Sequence, residues 1–226
     1  RKLRQFRKDL KKVLSMLKSY VGTPFSFYLR RWNDPSNYVI YTDVSTDYEL
    51  GGFNASHGWK LPHSQLPENI SSIMTSSSDE TERIDVLEML AVAIALDLWK
   101  SDVANTFILI VTDNSTVYWG LRNRTTRSVP CLPILEYIFK ISYEKNIRIF
   151  AKQILSAENE DVDALSRNDM QLFKKLHPDV VVIQENIKTF CQQDIINIIN
   201  SVEKYCSADA IFRLRHKNKF KNKGQK

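Results

Sequence analysis

The sequence predicts an α/β protein whose mixed sheet is flanked by helices. Short segments rich in aromatic and β-branched residues alternate with longer segments of helical character. They follow in the order of three strands, a helix, a strand, two helices, a strand and a helix, which is typical of an α/β domain. A chain of 226 residues is long enough for one substantial core with appendages.

The first strand is predicted over Tyr38–Asp43, a segment of aromatic and β-branched residues that ends in a carboxylate. The pair Gly51-Gly52 is interpreted as marking a turn, and antiparallel strands are predicted around Phe53 and Trp59. A long helix follows over Glu82–Lys100. It is apolar almost all round, so it is expected to be largely buried.

The second half of the chain repeats the alternation of strands and helices. The apolar run Phe107–Thr112, followed by Asp113, predicts a strand that is covered on both faces. The remaining predicted elements are helices over Ser115–Leu121 and Pro133–Lys145, a strand over Ile147–Lys152 and a short helix over Asp161–Ser166. The apolar stretch over 180–206 leaves its type of structure open.

The charge is distributed unevenly along the chain. Residues 1–31 hold ten Lys or Arg and one Asp, and residues 213–226 hold seven Lys or Arg and no acid. Because the whole chain is +6, residues 32–212 carry a net charge of −10. The basic ends can attract nucleic acid, or they are solvated termini. Apolar residues at helical spacing over Leu3–Leu17 predict an amphipathic helix in the first of these ends.

Four carboxylates stand out within residues 32–212, hereafter the acidic body. Asp43 and Asp113 each end an apolar strand, where the ligand sites of open α/β sheets lie. Glu88 interrupts the apolar long helix, and Asp163 lies at the start of a short helix. Taken singly, the Asp residues are turn formers or helix caps, and Glu88 pairs with a buried cation. Taken together, they form a set of hard oxygen ligands that suits Mg²⁺ or Mn²⁺.

Four blocks of sequence surround these carboxylates: Tyr41–Ser45 with Gly51-Gly52, Val86–Val92, Val111–Thr116 and Glu158–Arg167. In this order they resemble the ribonuclease H domain of retroelement reverse transcriptases, over about residues 38–178. Thr126-Arg127-Ser128 and Leu176-His177-Pro178 resemble the DIRS type, which carries a tyrosine recombinase. The chain departs from the family at Ser156-Ala157, where Pro-Gly is frequent, and at Val162, where Ala is usual.

The resemblance implies a ribonuclease H-like fold with a mixed five-stranded sheet. It implies that Asp43, Glu88, Asp113 and Asp163 hold two Mg²⁺ ions, with Mn²⁺ as a substitute, and hydrolyse the RNA strand of RNA–DNA hybrids. Asn114, Ser115 and Arg127 are placed where they can touch the nucleic acid, although Arg127 is equally a surface residue. The expected partners are the hybrid and the polymerase domain of the same element.

The domain boundaries follow from the same resemblance. Residues 1–37 are interpreted as the basic helical end of a polymerase thumb or connection region, 38–178 as the nuclease, and 179–226 as a helical extension with a basic tail. No apolar run is long enough for a bilayer span, and the three scattered cysteines favour an intracellular protein. Two alternatives stay open: a catalytically inactive nucleic-acid-binding module of the same fold, and a protein that binds nucleic acid through its basic ends.

Overall fold

A six-stranded mixed sheet forms the centre of the molecule. The structure is a computed structural model that describes residues 10, 11, 13 and 14 and the ranges 38–45, 49–66 and 80–184. Across the sheet the strand order is β5-β4-β1-β2-β3-β6. The strands are β1 (Tyr38–Val44), β2 (Glu49–Phe53), β3 (His57–Pro62), β4 (Phe107–Thr112), β5 (Arg148–Gln153) and β6 (Val181–Gln184).

Neighbouring strands pair in both directions. The pairs β1–β2 and β2–β3 are antiparallel, whereas β4 is parallel to both β1 and β5, and β6 is parallel to β3. Parallel strands need a crossover connection, and helices lie in each of these connections. They are α1 (Glu80–Trp99) before β4, α2 (Ser115–Asn123) and α3 (Cys131–Glu144) before β5, and α4 (Glu160–Ser166) and α5 (Met170–Leu176) before β6.

Alternate side chains of β1 enter two different cores, because successive residues of a strand point to opposite faces of the sheet. Ile40 and Val44 belong to the larger core, which is shared with α1, α2 and α3. Tyr41 stacks on Phe53 of β2, at 4.8 Å between ring centroids, beside the smaller core with α4 and α5. Asp43 has the same parity as Tyr41 and therefore faces α4.

Helix α1 is the central element of the larger core. From Val86 to Leu96 no residue is more than 3% exposed, and this run includes Glu88. Because this run is buried on all sides, its sequence has no polar face. The prediction of a largely buried helix is confirmed.

The predicted α/β class with a mixed sheet is confirmed, and the predicted strands and helices appear in the expected order. Four details differ. Helix α5 (Met170–Leu176) was not predicted. The sheet has six strands rather than five, because the four residues of β6 pair with the outer edge of β3. Residues 179–226 were interpreted as a helical extension, with the type of structure over 180–206 left open, and the stretch begins with this strand. The pair Gly51-Gly52 lies inside β2 rather than in a turn.

The N-terminal prediction lies mostly outside the described residues. Residues 10, 11, 13 and 14 are helical, as expected for the segment Leu3–Leu17, and the side chains of Leu10, Val13 and Leu14 are about half exposed. Among the residues that the structure describes, no helix combines the length and the apolar character that crossing a membrane requires.

Candidate metal centre

Asp43 occupies the carboxyl end of β1 and is only 6% exposed. Its Oδ1 accepts a hydrogen bond from Nδ2 of Asn159 at 3.1 Å, and its Oδ2 accepts one from the hydroxyl of Ser166 at 2.7 Å. Asn159 immediately precedes α4 and Ser166 is the last residue of that helix. Both ends of α4 therefore orient the carboxylate of Asp43.

A glycine allows α4 to lie this close to the sheet. Gly51 is the cross-strand neighbour of Asp43. A Cβ at this position would be 3.3 Å from the backbone nitrogen of Ser166 and 3.3 Å from Cγ of Leu165. Few side-chain atoms are found so close to another backbone, so glycine is the residue that fits beneath α4.

Glu88 reaches the same place from α1, on the opposite face of the sheet. It is 3% exposed, and its carboxylate accepts a hydrogen bond from the backbone N–H of Val44 at the end of β1. Its Oε2 is buried and has no hydrogen-bond partner among the described residues. A buried carboxylate oxygen without a partner costs free energy, which a bound cation would offset.

Asp113 follows β4 directly and is partly exposed, so it forms the solvent side of the cluster. Its Oδ2 accepts a hydrogen bond from the hydroxyl of Ser156 at 2.7 Å. Its backbone carbonyl accepts one from Nε2 of Gln153 at 3.3 Å. The last residue of β5 and the segment that follows it therefore orient Asp113, just as α4 orients Asp43.

Asp43, Glu88 and Asp113 form one cluster, hereafter the acidic triad. One carboxylate oxygen from each lies within 4.8 Å of the others. Burial, and then repulsion from Asp113 and Asp163, raise the pKa of Asp43 from 3.8 to about 6, although the Ser166 hydroxyl opposes this. Burial and the two neighbouring Asp residues raise the pKa of Glu88 well above its usual range. Three hard, partly unpaired oxygen ligands at this spacing can bind a divalent metal ion.

The fourth predicted ligand, Asp163, lies outside the triad. Its Oδ1 accepts a hydrogen bond from Nε of Arg167, one turn later in α4, at 2.7 Å. The side chains of Asp163 and Arg167 are 40% and 59% exposed, and exposed ion pairs of this kind contribute only about 0–1 kcal/mol. Asp163 is nevertheless near enough for its charge to raise the pKa of Asp43.

The three residues predicted to contact nucleic acid differ in how far they are exposed and in whether their polar groups are already hydrogen-bonded. Asn114 caps α2 by accepting a hydrogen bond from the backbone of Val117, and its amide donates to Asp85 on α1. Both polar groups of Asn114 are thus used within the protein. Ser115 and Arg127 are exposed, so a contact with nucleic acid stays a prediction for these two residues.

Four residues that support the site were not singled out from the sequence. Asn159 and Ser166 lie within the motif over Glu158–Arg167, so their fixed spacing from Asp163 is a signal that could have identified them. Ser156 and Asp85 carry no such signal, since their contacts with Asp113 and Asn114 span 43 and 29 residues of the chain.

The raised pKa values predict how pH affects stability. The folded state holds a proton on Asp43 more tightly than the unfolded state, so without metal the stability falls as pH rises from about 4 to about 6. A shift of this size corresponds to about 3 kcal/mol. Added Mg²⁺ is expected to raise the melting temperature at pH 7.5 and to have a smaller effect near pH 4.5, where the raised pKa values keep Asp43 and Glu88 protonated.

The measurement is thermal unfolding at several pH values, with EDTA or with Mg²⁺. Asp43→Asn is the control, because it removes the titrating group and one ligand together. The stability difference between Asp43→Asn and the parent protein should change with pH in EDTA. A difference that is independent of pH, together with equal responses to Mg²⁺, contradicts the assignment.

Substitution of Gly51 tests the contact between α4 and the sheet. Gly51→Ala is expected to displace Ser166 from Asp43, to lower stability by about 1 kcal/mol and to weaken metal binding several-fold. Gly58→Ala is the matched control, because its Cβ would meet side chains near β6 rather than α4. Calorimetric titration with Mn²⁺ compares the two variants. Equal metal affinities would contradict the claim that Gly51 supports the metal site.

Comparison of the chain with protein-family models, with curated proteins and with solved structures finds no match. The function of the acidic triad is therefore inferred from its own residues and their surroundings.

Proposed function

We propose that this protein is a metal-dependent ribonuclease H that hydrolyses the RNA strand of RNA–DNA hybrids. The observation that carries the proposal is the acidic triad. Its members come from the carboxyl ends of two adjacent parallel strands, β1 and β4, and from the helix α1 between them. They lie 25 to 70 residues apart along the chain, in the order that the resemblance to the ribonuclease H domain implies.

The proposed fold is ribonuclease H-like. Strands β1 to β5 form a mixed sheet in the order β5-β4-β1-β2-β3, with β6 as an additional edge strand. The helices α1 to α3 cover one face and α4 with α5 the other. This arrangement supports the proposal because all four motif blocks then meet around the end of β1.

The residues present fit a divalent ion. Asp43, Glu88 and Asp113 would hold it, and Asn159, Ser166 and Ser156 orient two of these ligands through the hydrogen bonds described above. When bound, Mg²⁺ supplies activation of a water molecule and stabilisation of a departing 3′ oxygen. The proposal includes two ions, with Asp163 as a ligand of the second after it separates from Arg167.

The charge of the protein supports a requirement for cations. Residues 32–212 carry a net charge of −10, so phosphates approach the triad only when cations neutralise it. The proposed substrate is recognised by the shape of its backbone and by 2′-hydroxyl groups. Ser115 and Arg127 are exposed on the elements that follow Asp113, and we propose them as contacts for that backbone.

The wider biological setting belongs to the same proposal. The DIRS-like motifs around Arg127 and His177 suggest a retroelement reverse transcriptase as the parent enzyme. Its polymerase domain would be the covalent partner of residues 1–37, within an intracellular complex. The proposal would then assign residues 38–178 together with β6 to the nuclease.

An inactive hybrid-binding module of the same fold is the second candidate. The observation that favours it is the ion pair of Asp163 with Arg167, which leaves three rather than four carboxylates grouped together. Against it, Glu88 retains a buried and unpartnered oxygen in the triad. A module that has no use for metal gains nothing from this costly group.

Cleavage of a labelled RNA–DNA hybrid tests the proposal. The parent protein is expected to cut the RNA strand in Mg²⁺ or Mn²⁺ and not in EDTA. Asp113→Asn is expected to reduce the rate at least about a hundredfold, because it removes a ligand charge at the reacting centre. Its folding should be preserved, since Asp113 is partly exposed.

Asp179→Asn is the matched control, because Asp179 is exposed and lies beyond α5, outside the triad. It should cut at the rate of the parent protein. Equal rates for Asp113→Asn and Asp179→Asn would remove the triad from catalysis. Binding of the hybrid without cleavage in any metal would instead establish the inactive module.

A further inference from the structure

Helix α2 combines a buried face with an aromatic and basic outer face. Val117, Gly120 and Leu121 are buried against the larger core, and a Cβ on Gly120 would be 2.9 Å from Cε of Met89 on α1. The close packing on this side does not involve Trp119, which is 50% exposed. Core formation therefore does not explain why a tryptophan stands at this position.

The outer side chains of α2 support one another. The rings of Tyr118 and Trp119 meet edge to face, with their centroids 4.9 Å apart. The guanidinium of Arg122 lies 5.8 Å from the centre of the Tyr118 ring and 5.5 Å from that of Trp119, and it donates a hydrogen bond to the Tyr118 hydroxyl. These contacts order two aromatic rings and one cation at the surface before any ligand binds.

The segment around α2 is positively charged, whereas residues 32–212 as a whole are negatively charged. Residues 114–135 contain three arginines and no Asp or Glu, within a body of net charge −10. Arg122, Arg124 and Arg127 are all exposed. Arg124 has a left-handed backbone (φ 56°) at the end of α2, and its guanidinium lies 5.8 Å from the centre of the Phe139 ring. An anionic partner is therefore favoured on this side of the molecule.

We infer that Tyr118, Trp119 and Arg122, hereafter the α2 surface, bind single-stranded nucleic acid through an unpaired base on Trp119 and a phosphate at Arg122. Aromatic rings accept the face of any unpaired base, and arginine binds the adjacent phosphate. In a duplex the base faces are already stacked, so an exposed tryptophan favours a single strand. The inference goes beyond the proposed cleavage, because it requires neither metal nor the acidic triad.

The α2 surface adjoins the triad along the chain. Helix α2 begins two residues after Asp113, and Trp119 lies roughly 6 Å further along the helix axis than Ser115. A single strand that extends from a duplex at the triad can therefore reach the α2 surface within a few nucleotides.

Fluorescence anisotropy with a short labelled oligothymidylate or oligouridylate, in EDTA, tests the inference. Trp119→Ala is expected to bind about 5- to 150-fold more weakly, which is the range for loss of one stacked base. Leu176→Ala is the matched control, since Leu176 is 42% exposed on α5, and it should bind like the parent protein. Arg122→Ala should lower the salt dependence of binding by about 0.7 in log–log slope, whereas Lys175→Ala should not.

Intrinsic fluorescence gives a second readout that a purely structural role would not change. Of the four tryptophans, Trp59 and Trp99 are buried, so the measurement is made in a Trp32→Phe background, where the exposed emitter is Trp119. Binding of a single strand should quench its emission, and this quenching should be missing when Trp119→Phe is added. Equal affinity of Trp119→Ala and Leu176→Ala for single strands would overturn the inference. The inference would also be overturned if Trp119→Ala lost as much affinity for a blunt hybrid duplex as for a single strand, because α2 would then be a contact for the duplex. Asp113→Asn should retain the binding, which separates this outcome from failure of the cleavage proposal.

Discussion

The mutual repulsion of three carboxylates in a largely buried place is the constraint on which the rest of this structure depends. Asp43 and Glu88 are almost wholly removed from water and lie with Asp113 within 4.8 Å of one another. Such a group is unfavourable unless protons or cations neutralise it. Burial first, and then this repulsion, raise the pKa of Asp43, and Oε2 of Glu88 lies buried without a hydrogen-bond partner among the described residues.

The fold maintains this unfavourable group through packing elsewhere. Helix α1 carries Glu88 inside an apolar run that is buried on every side, so the carboxylate cannot turn away to solvent without disturbing the larger core. On the other face, Gly51 lets α4 approach the sheet, and α4 in turn holds Asp43 through Asn159 and Ser166. Packing in two separate cores thus offsets the free-energy cost of placing these carboxylates together, and a bound cation would lower that cost.

The periodicity and composition of the sequence predicted most of the fold. Apolar strands that end in Asp43 and Asp113 predicted that these two side chains meet, because neighbouring strands end at one edge of a sheet. Glu88 joins them as expected, whereas Asp163, which was expected to complete the group, lies outside it. Strand β6 was not predicted, because four residues carry little periodic signal and their partner, β3, lies more than a hundred residues earlier. The glycines of β2 were interpreted as a turn, although their role is to admit α4 and the indole of Trp59.

Side-chain partners were harder to predict than backbone elements. Asn114 was predicted to touch nucleic acid, yet an Asn immediately before a helix is a common cap, and this is how it acts. The spacing of Asp163 and Arg167 permits an ion pair on one face of α4, which competes with the predicted role of Asp163 as a ligand. Local sequence shows that such pairs are possible, whereas the orientation of each carboxylate depends on contacts that form only in the folded chain.

Anomalous diffraction from crystals soaked in Mn²⁺ at neutral pH tests the central claim most directly, because it locates bound metal without requiring turnover. The account predicts a Mn²⁺ peak in direct contact with carboxylate oxygens of Asp43, Glu88 and Asp113. The same peak should be missing from crystals of Glu88→Gln. Well-ordered carboxylates with no Mn²⁺ between them, even at millimolar concentration, would contradict the claim that this triad is a metal site.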